Sequence, residues 1–362
     1  MSGMTAAAPR TFVRSDFVII GGGAAAAILA AITRFAVGGV VLAFLCAALA
    51  VALLASLVGR SVEQLGDRFG PGATGVLQSA LGNLPELFIA LFALRAGLVE
   101  VVQAALIGSI LANLLLVLGL CFLVGGLKHG TQKLGSGRAR STIVLMVLSV
   151  AALVLPSLAQ FVHAPASKHE STLSLIVSVI LLLLFVLTLP ASLRRGASEP
   201  VEEGMHQEAP RWPIALALGL LATAAVLAAF VSDWFVHALE PAMQTLHISE
   251  AFAGLVIVAI AGNAVENVAG LVLAWKGRSD LAISVVKNSV AQIAAFLFPL
   301  LVLISFALAT TLTFSLAPVY IGALALTALA LAQVTGDGEA VAFEGWALVA
   351  LYVILGTLTI YE

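Results

Sequence analysis

Gly82-Asn83-Leu84-Pro85-Glu86 recurs, recast, as Gly262-Asn263-Ala264-Val265-Glu266. Each copy sets a carboxylate and an amide inside a long apolar segment, where ionisable groups are expensive and usually functional. The same offset of 180 residues pairs Gly97 with Gly277, Glu100 with Asp280 and Ser109 with Ser289. A chance Gly-Asn pair would not keep register over so long a stretch. The pattern predicts two copies of one helix–loop–helix unit, each with an acidic residue buried in a membrane.

Composition agrees. Of 362 residues, 61% are hydrophobic and only 10% charged, against roughly 45–50% and about 25% in a soluble domain. The chain therefore reads as an all-α polytopic membrane protein. A net charge of −2 argues against a nucleic-acid partner. Cys46 and Cys121 lie in apolar segments and suggest no disulfide framework. Met1 to Asp16 is short and polar, and no clear cleavage site ends the first apolar run, so an uncleaved first span is expected.

A span needs about 20 mostly apolar residues. That rule predicts eleven, near 17–33, 38–59, 72–95, 99–125, 141–163, 171–193, 212–236, 249–275, 281–305, 315–334 and 343–361. With the N-terminus inside, only Arg34, Arg95 and Lys168 fall in outside loops, while nearly all other Lys and Arg fall inside, as the positive-inside rule requires. Trp212, Trp234, Trp275 and Trp346 fall near span ends, where interfacial tryptophans are expected. The third and eighth spans then run in opposite directions, so the two copies are inverted. The expected layout is a tail and extra helix (1–37), a first five-helix repeat (38–193), an acidic cytoplasmic linker (194–211) and a second five-helix repeat (212–362). The linker carries Glu199, Glu202, Glu203 and Glu208. It reads as a solvated connection or as a surface that attracts cations.

On continuous helices Ser79, Asn83 and Glu86 would share one face, as would Asn263 and Glu266. Ser109 and Asn113 are four apart, and Ser289 and Gln292 three apart. Each half thus offers a carboxylate with neutral oxygens, a set suited to a hard cation such as Ca²⁺. No Cys or His lies among these positions, which disfavours Zn or Cu. Gly82, Gly262 and Pro85 weaken the helices there, and the two glycines would let backbone carbonyls join the ligand set. The plainer reading makes Glu86 and Glu266 protonated interhelical glue. Two carboxylates in one cavity are neutralised either by a divalent cation or by protons, so alternation between membrane faces gives antiport. All six histidines fall in expected loops or at span ends, leaving the glutamates as proton carriers.

These residues, with Ala90 through Glu100, Gly108 through Leu114, Asp280 through Ile283 and Ser289 through Gln292, resemble the calcium/cation antiporter superfamily, specifically its Ca²⁺/H⁺ exchanger branch. The resemblance covers nearly the whole chain. It implies exchange of cytoplasmic Ca²⁺ for protons, with Glu86 and Glu266 as ion-binding and proton-carrying carboxylates. It implies Asn83, Asn263, Ser109, Asn113, Ser289 and Gln292 as supporting ligands, with Ser79, Gly82, Gly262, Asn267 and Asn288 lining the site. It also implies that spans 2 and 7 gate the path. The partners expected are membrane lipid and an inorganic cation, with no cofactor, in a bacterial-type inner membrane. Two departures stand out. Asn267 occupies a position that is usually histidine, and Lys287 precedes Ser289 unexpectedly, as a possible modulator that competes with Ca²⁺, pairs with a glutamate or snorkels. A Na⁺/H⁺ or K⁺/H⁺ antiporter, or a cation channel, stays open as an alternative. No span carries a metal pair, Ser–Lys dyad or nucleophile elbow that would make it an enzyme.

Overall fold

Helices account for most of the described residues, because at membrane depth each backbone polar group must be satisfied within its own segment. The computed structural model describes residues 11–36, 39–66, 68, 77–134, 150–198, 210–336 and 338–361. The linker glutamates, the first part of the fifth expected span and the side chain of Ser79 lie outside what is described. In chain order the helices are α1 (Arg14–Phe35), α2 (Val40–Gly66), α3 (Leu84–Arg95, preceded by a π-helical turn over Gln78–Gly82) and α4 (Val99–His129). Next come α5 (Val150–Phe161), α6 (Glu170–Ser198), α7 (Ile214–Leu246) and α8 (Glu250–Gly262). The last four are α9 (Ala264–Trp275), α10 (Ser279–Ser305), α11 (Pro318–Val334) and α12 (Ala342–Ile360).

Seven of these segments are long and apolar enough to cross a membrane singly, and α8 with α9 makes an eighth, bent by 63°. The protein is an α-helical polytopic membrane protein. The glycine-rich first segment, α1, is a continuous helix of 22 residues. The third expected span is broken at Asn83, while the fifth and tenth appear as the shorter apolar helices α5 and α11.

α4 is the axis of the bundle, with 83% of its most apolar window buried, against 17% for the Pro165–Leu187 stretch. Small residues let its neighbours approach, since lipid tails supply no hydrophobic drive between helices. A Cβ on Gly108 would lie 2.4 Å from the Leu255 carbonyl oxygen of α8, and one on Gly254 would lie 2.5 Å from the Ala104 Cβ. Lower on α4, a Cβ on Gly119 would come within 2.9 Å of the Gly345 carbonyl of α12, and one on Gly126 within 2.6 Å of the Ala342 nitrogen. α12 also reaches α8, where the Tyr352 hydroxyl donates to the Leu255 carbonyl at 3.3 Å. That carbonyl sits in a π-helical segment, Ala253–Val258, where i→i−4 bonding lapses.

Polar contacts tie the connecting segments together. The Arg68 guanidinium donates to the Trp212 carbonyl, and Gln64 Oε1 accepts from the Arg211 and Trp212 amides at 2.9 and 3.1 Å. Asp16, fully buried, pairs with Arg60 at 3.3 Å and Arg211 at 3.5 Å, tying α1 to α2 and to the start of α7. A two-residue antiparallel pair, β1 (Gln132–Lys133) with β2 (Glu339–Ala340), joins the α4–α5 and α11–α12 connections. Elsewhere, Gln103 donates to the Thr313 and Ser315 carbonyls at 3.1 Å, and Ser249 donates to the Thr359 carbonyl at 2.5 Å.

Burial and helix length add to two expectations. Trp212, just before α7, is fully buried, because α1, α2 and α7 converge on it with Phe12, Leu57, Val58 and Leu65. The seventh helix runs on to Leu246, so His237 lies inside it, half-exposed and 3.4 Å from Asp233 one turn earlier. The Gly108 contact is testable against its own control. Gly→Ala in a helix gains up to about 1 kcal/mol in propensity. Gly219 has nothing within 4 Å of a Cβ, so Gly219→Ala is expected to hold or raise the thermal unfolding midpoint. Gly108→Ala pushes on backbone that has nowhere to go, and is expected to lower stability by about 1–3 kcal/mol in the same unfolding measurement in detergent.

Candidate cation site

Asn83 and Asn263 interrupt their helices with the same backbone conformation, φ −92° and ψ 18° for the first and φ −92° and ψ 21° for the second. This bridge region is sparsely populated and recurs at functional sites. The repeat continues downstream: Gly97 and Gly277 both turn the chain with positive φ, 83° and 74°. Each break starts a new helix, and the carboxylate of each motif, Glu86 or Glu266, falls in its first turn. Unpaired amides and the positive end of a helix dipole thus sit beside each carboxylate, which makes a negative charge tolerable at depth. The break also corrects the one-face reading: Ser79 and Glu86 are not on one continuous helix.

The asparagines bond across the two copies as well as within them, Asn113 Nδ2 donating to the Ser109 carbonyl and Asn263 Nδ2 to the Ala259 carbonyl, both at 2.9 Å. Asn83 Nδ2 donates to Gln292 Oε1 at 3.4 Å. Asn263 Nδ2 donates to Ser109 Oγ at 2.7 Å, and Asn113 Nδ2 donates to Asn263 Oδ1 and Ser289 Oγ, both at 3.1 Å. All six residues are buried. Asn113 and Gln292 each stand where α4 and α10 pass into π-helical segments, Ala112–Val117 and Ile293–Leu297, so the site's second pair of helices is locally unwound as well. π-bulges of this kind are frequent at functional sites.

Glu86 crosses to the other half. A Cβ on Gly262 would lie 2.8 Å from Glu86 Cγ and 3.4 Å from its Oε1, so the absence of a side chain at 262 is what seats this glutamate. Glu86 and Glu266 are close enough for their charges to interact. Four oxygens here are buried with no protein hydrogen-bond partner: Asn83 Oδ1, Glu86 Oε1, Asn113 Oδ1 and Asn267 Oδ1. All are acceptors. Orphaned acceptors beside two carboxylates call for a cation, and an all-oxygen set suits a hard one.

Of the residues expected at the site, the structure joins Ser109, Asn113, Asn263 and Ser289 in one polar network and Asn83 with Gln292 in a second pair, with Glu86 against Gly262. Asn267 follows Glu266 and keeps its buried oxygen. Lys287 is half-buried on α10, whereas Asn288 is exposed, turned off the face that Ser289 presents. Gly82 is not an open backbone position: a Cβ there would lie 2.6 Å from the Gln78 amide nitrogen. Gln78 went unnoticed in the sequence, where the second copy has Val258 at its place.

Broken helices that bring carboxylates and amides from two sequence copies to one buried point are the architecture of a secondary cation transporter. The chain belongs to the sodium/calcium exchanger protein family, whose model matches residues 39–193 and 216–361. It is 34% identical over 347 residues to the Ca²⁺/H⁺ antiporter ChaA of Bacillus subtilis (strain 168), covering 94% of this chain and 97% of that protein. The vacuolar calcium ion transporter of Schizosaccharomyces pombe is 30% identical, over 86% of this chain and 77% of its own. The solved structure of native YfkE superposes with a TM-score of 0.80 at 30% identity, covering 96% of this chain and 99% of that one. The H⁺/Ca²⁺ exchanger CAX shares the fold, with a TM-score of 0.74 at 16% identity over 96% and 93% of the two chains.

Gly262→Ala is expected to push Glu86 off its seat. It should raise the cation concentration for half-maximal transport about tenfold, equivalent to ~1.4 kcal/mol, with little loss of folded protein. Cation titration of transport in vesicles, beside the yield of monodisperse protein, measures both.

Proposed function

We propose that this protein is a Ca²⁺/H⁺ antiporter that exchanges cytoplasmic Ca²⁺ for protons by alternating access. The observation that carries the reading is the pair of first-turn carboxylates at cross-bonded asparagine breaks, beside buried acceptor oxygens that lack partners. The relatives named Ca²⁺/H⁺ antiporter support it.

In this reading Glu86 and Glu266 bind Ca²⁺ or protons, but not both. Asn83, Asn263, Ser109, Asn113, Ser289 and Gln292 supply neutral oxygens, and their amide bonds rearrange as the ion enters. Cation and proton compete for the same negative charge, so loading from one face and release to the other requires the opposite ligand to return. The two halves, 38–193 and 212–362, are inverted repeats that rock about this point, and α2 packed along α7 gates it. The eleven-span layout, the cytoplasmic N-terminus and the bacterial inner membrane belong to the same proposal. Transport needs no cofactor beyond the exchanged ions.

A second reading, Na⁺/H⁺ or K⁺/H⁺ exchange on the same scaffold, rests on Asn267 and Lys287 in the second half. The test is uptake of labelled Ca²⁺, Na⁺ and K⁺ by vesicles carrying the purified protein under an imposed pH gradient. Gradient-driven Ca²⁺ uptake is expected; movement of Na⁺ or K⁺ without Ca²⁺ would sink the leading reading. Glu86→Gln and Glu266→Gln are each expected to reduce exchange to the level of empty vesicles, because a neutral amide neither carries the proton nor balances the cation.

A further inference from the structure

The two copies are not in the same conformation. Residues 78–82 form a π-helical turn, whereas of their counterparts at 258–262 only Val258 is π-helical, as the end of the segment Ala253–Val258, and 259–262 are α-helical. The difference has a side-chain correlate. Gly262 receives Glu86 from the opposite half, with Cγ 2.8 Å from an ideal Cβ. Gly82, the matching glycine, receives Gln78 from its own helix, with Nε2 at 2.6 Å, Cδ at 3.0 Å and Cγ at 3.5 Å from an ideal Cβ. By the symmetry of the motif the group expected on Gly82 is Glu266. Val258, the counterpart of Gln78, is buried in the apolar core and has no amide to offer.

We propose that Gln78 is a positioning residue that fills, on Gly82, the seat that Glu86 takes on Gly262, and so competes with Glu266 for that seat. This inference rests on the antiporter reading and adds a step to it. With both glutamates seated, each carboxylate would be clamped by the other half and the site closed around its cargo. Gln78 disfavours that closed state, because Glu266 can dock only after the Gln78 amide leaves. Its departure permits the 78–82 turn to take up the α-helical form that 259–262 already has. Gln78 thus weakens binding of the cation and speeds its release, since a ligand trades affinity against the population of the competent state.

The prediction separates this role from a merely structural one. In Gln78→Ala the seat is empty, the closed state gains, and KM and kcat for cation exchange should fall together, each by about fivefold or more, the low end of coupling between linked sites. Gln78→Met fills the same volume without an amide and should restore wild-type values. A fall in kcat with KM unchanged or raised in Gln78→Ala, no change in either constant, or Gln78→Met behaving like Gln78→Ala, would each overturn the proposal. Failure of the antiporter reading is distinguishable. If wild-type vesicles move Na⁺ or K⁺ instead of Ca²⁺, the constants are measured with that ion. If they move none of the three, amide hydrogen exchange over residues 77–86 is compared in the full chain. It should be slower in Gln78→Ala than in wild type and unchanged in Gln78→Met; any other pattern overturns the proposal.

Discussion

The cross-bonding of two asparagines is the constraint on which the rest of this structure depends. A helix interrupted at membrane depth leaves amides and carbonyls that water cannot reach, and each costs several kcal/mol if unpaired. Asn263 Nδ2 meets part of that demand by donating to the Ala259 carbonyl of its own copy at 2.9 Å, and the same side chain donates to Ser109 and accepts from Asn113 of the other copy. Asn83 donates across to Gln292. Each break therefore carries a side chain anchored in the other copy, which links the site to the association of the halves.

Close helix contact follows from the same requirement. Hydrogen bonds among short side chains on α4, α9 and α10 need these helices near one another, and Gly108 and Gly254 permit the necessary approach between α4 and α8. Gly262 extends the principle to the charged group itself: the missing side chain becomes the berth of Glu86. The first-turn position of both carboxylates supplies an electrostatic counterweight to their negative charge.

The exterior of the bundle is organised by a different balance. At the ends of α1, α2 and α7 a fully buried Asp16 is held by Arg60 and Arg211, and Trp212 is packed under them. Breaking one partner of such a cluster leaves an uncompensated charge, which is why buried ion pairs constrain geometry more than they add stability. The extra helix α1 is thereby fastened to α2 and to the entry of α7, the same pair expected to move.

Much of this was legible in the residues alone. Hydropathy marked the helices because only helices satisfy their backbone within lipid. The 180-residue recurrence singled out both glutamates, both asparagines and the Ser109–Ser289 pair, while Asn113 and Gln292 stood out only by helical spacing from those serines, since polar groups inside apolar runs are too costly to be incidental. Three things were decided only in three dimensions. Asn83 breaks the chain instead of sharing a helical face with Ser79, because its backbone adopts the bridge region and the amide bonds to Gln292, 209 positions away. Trp212 is buried and Asn288 exposed, because burial depends on which helices converge and periodicity within one segment cannot report that. The unequal occupancy of Gly82 and Gly262 depends on which distant side chain reaches each glycine. Local sequence determines where a helix forms and where it is weak; the partner of each weak point is set by packing between segments far apart in the chain.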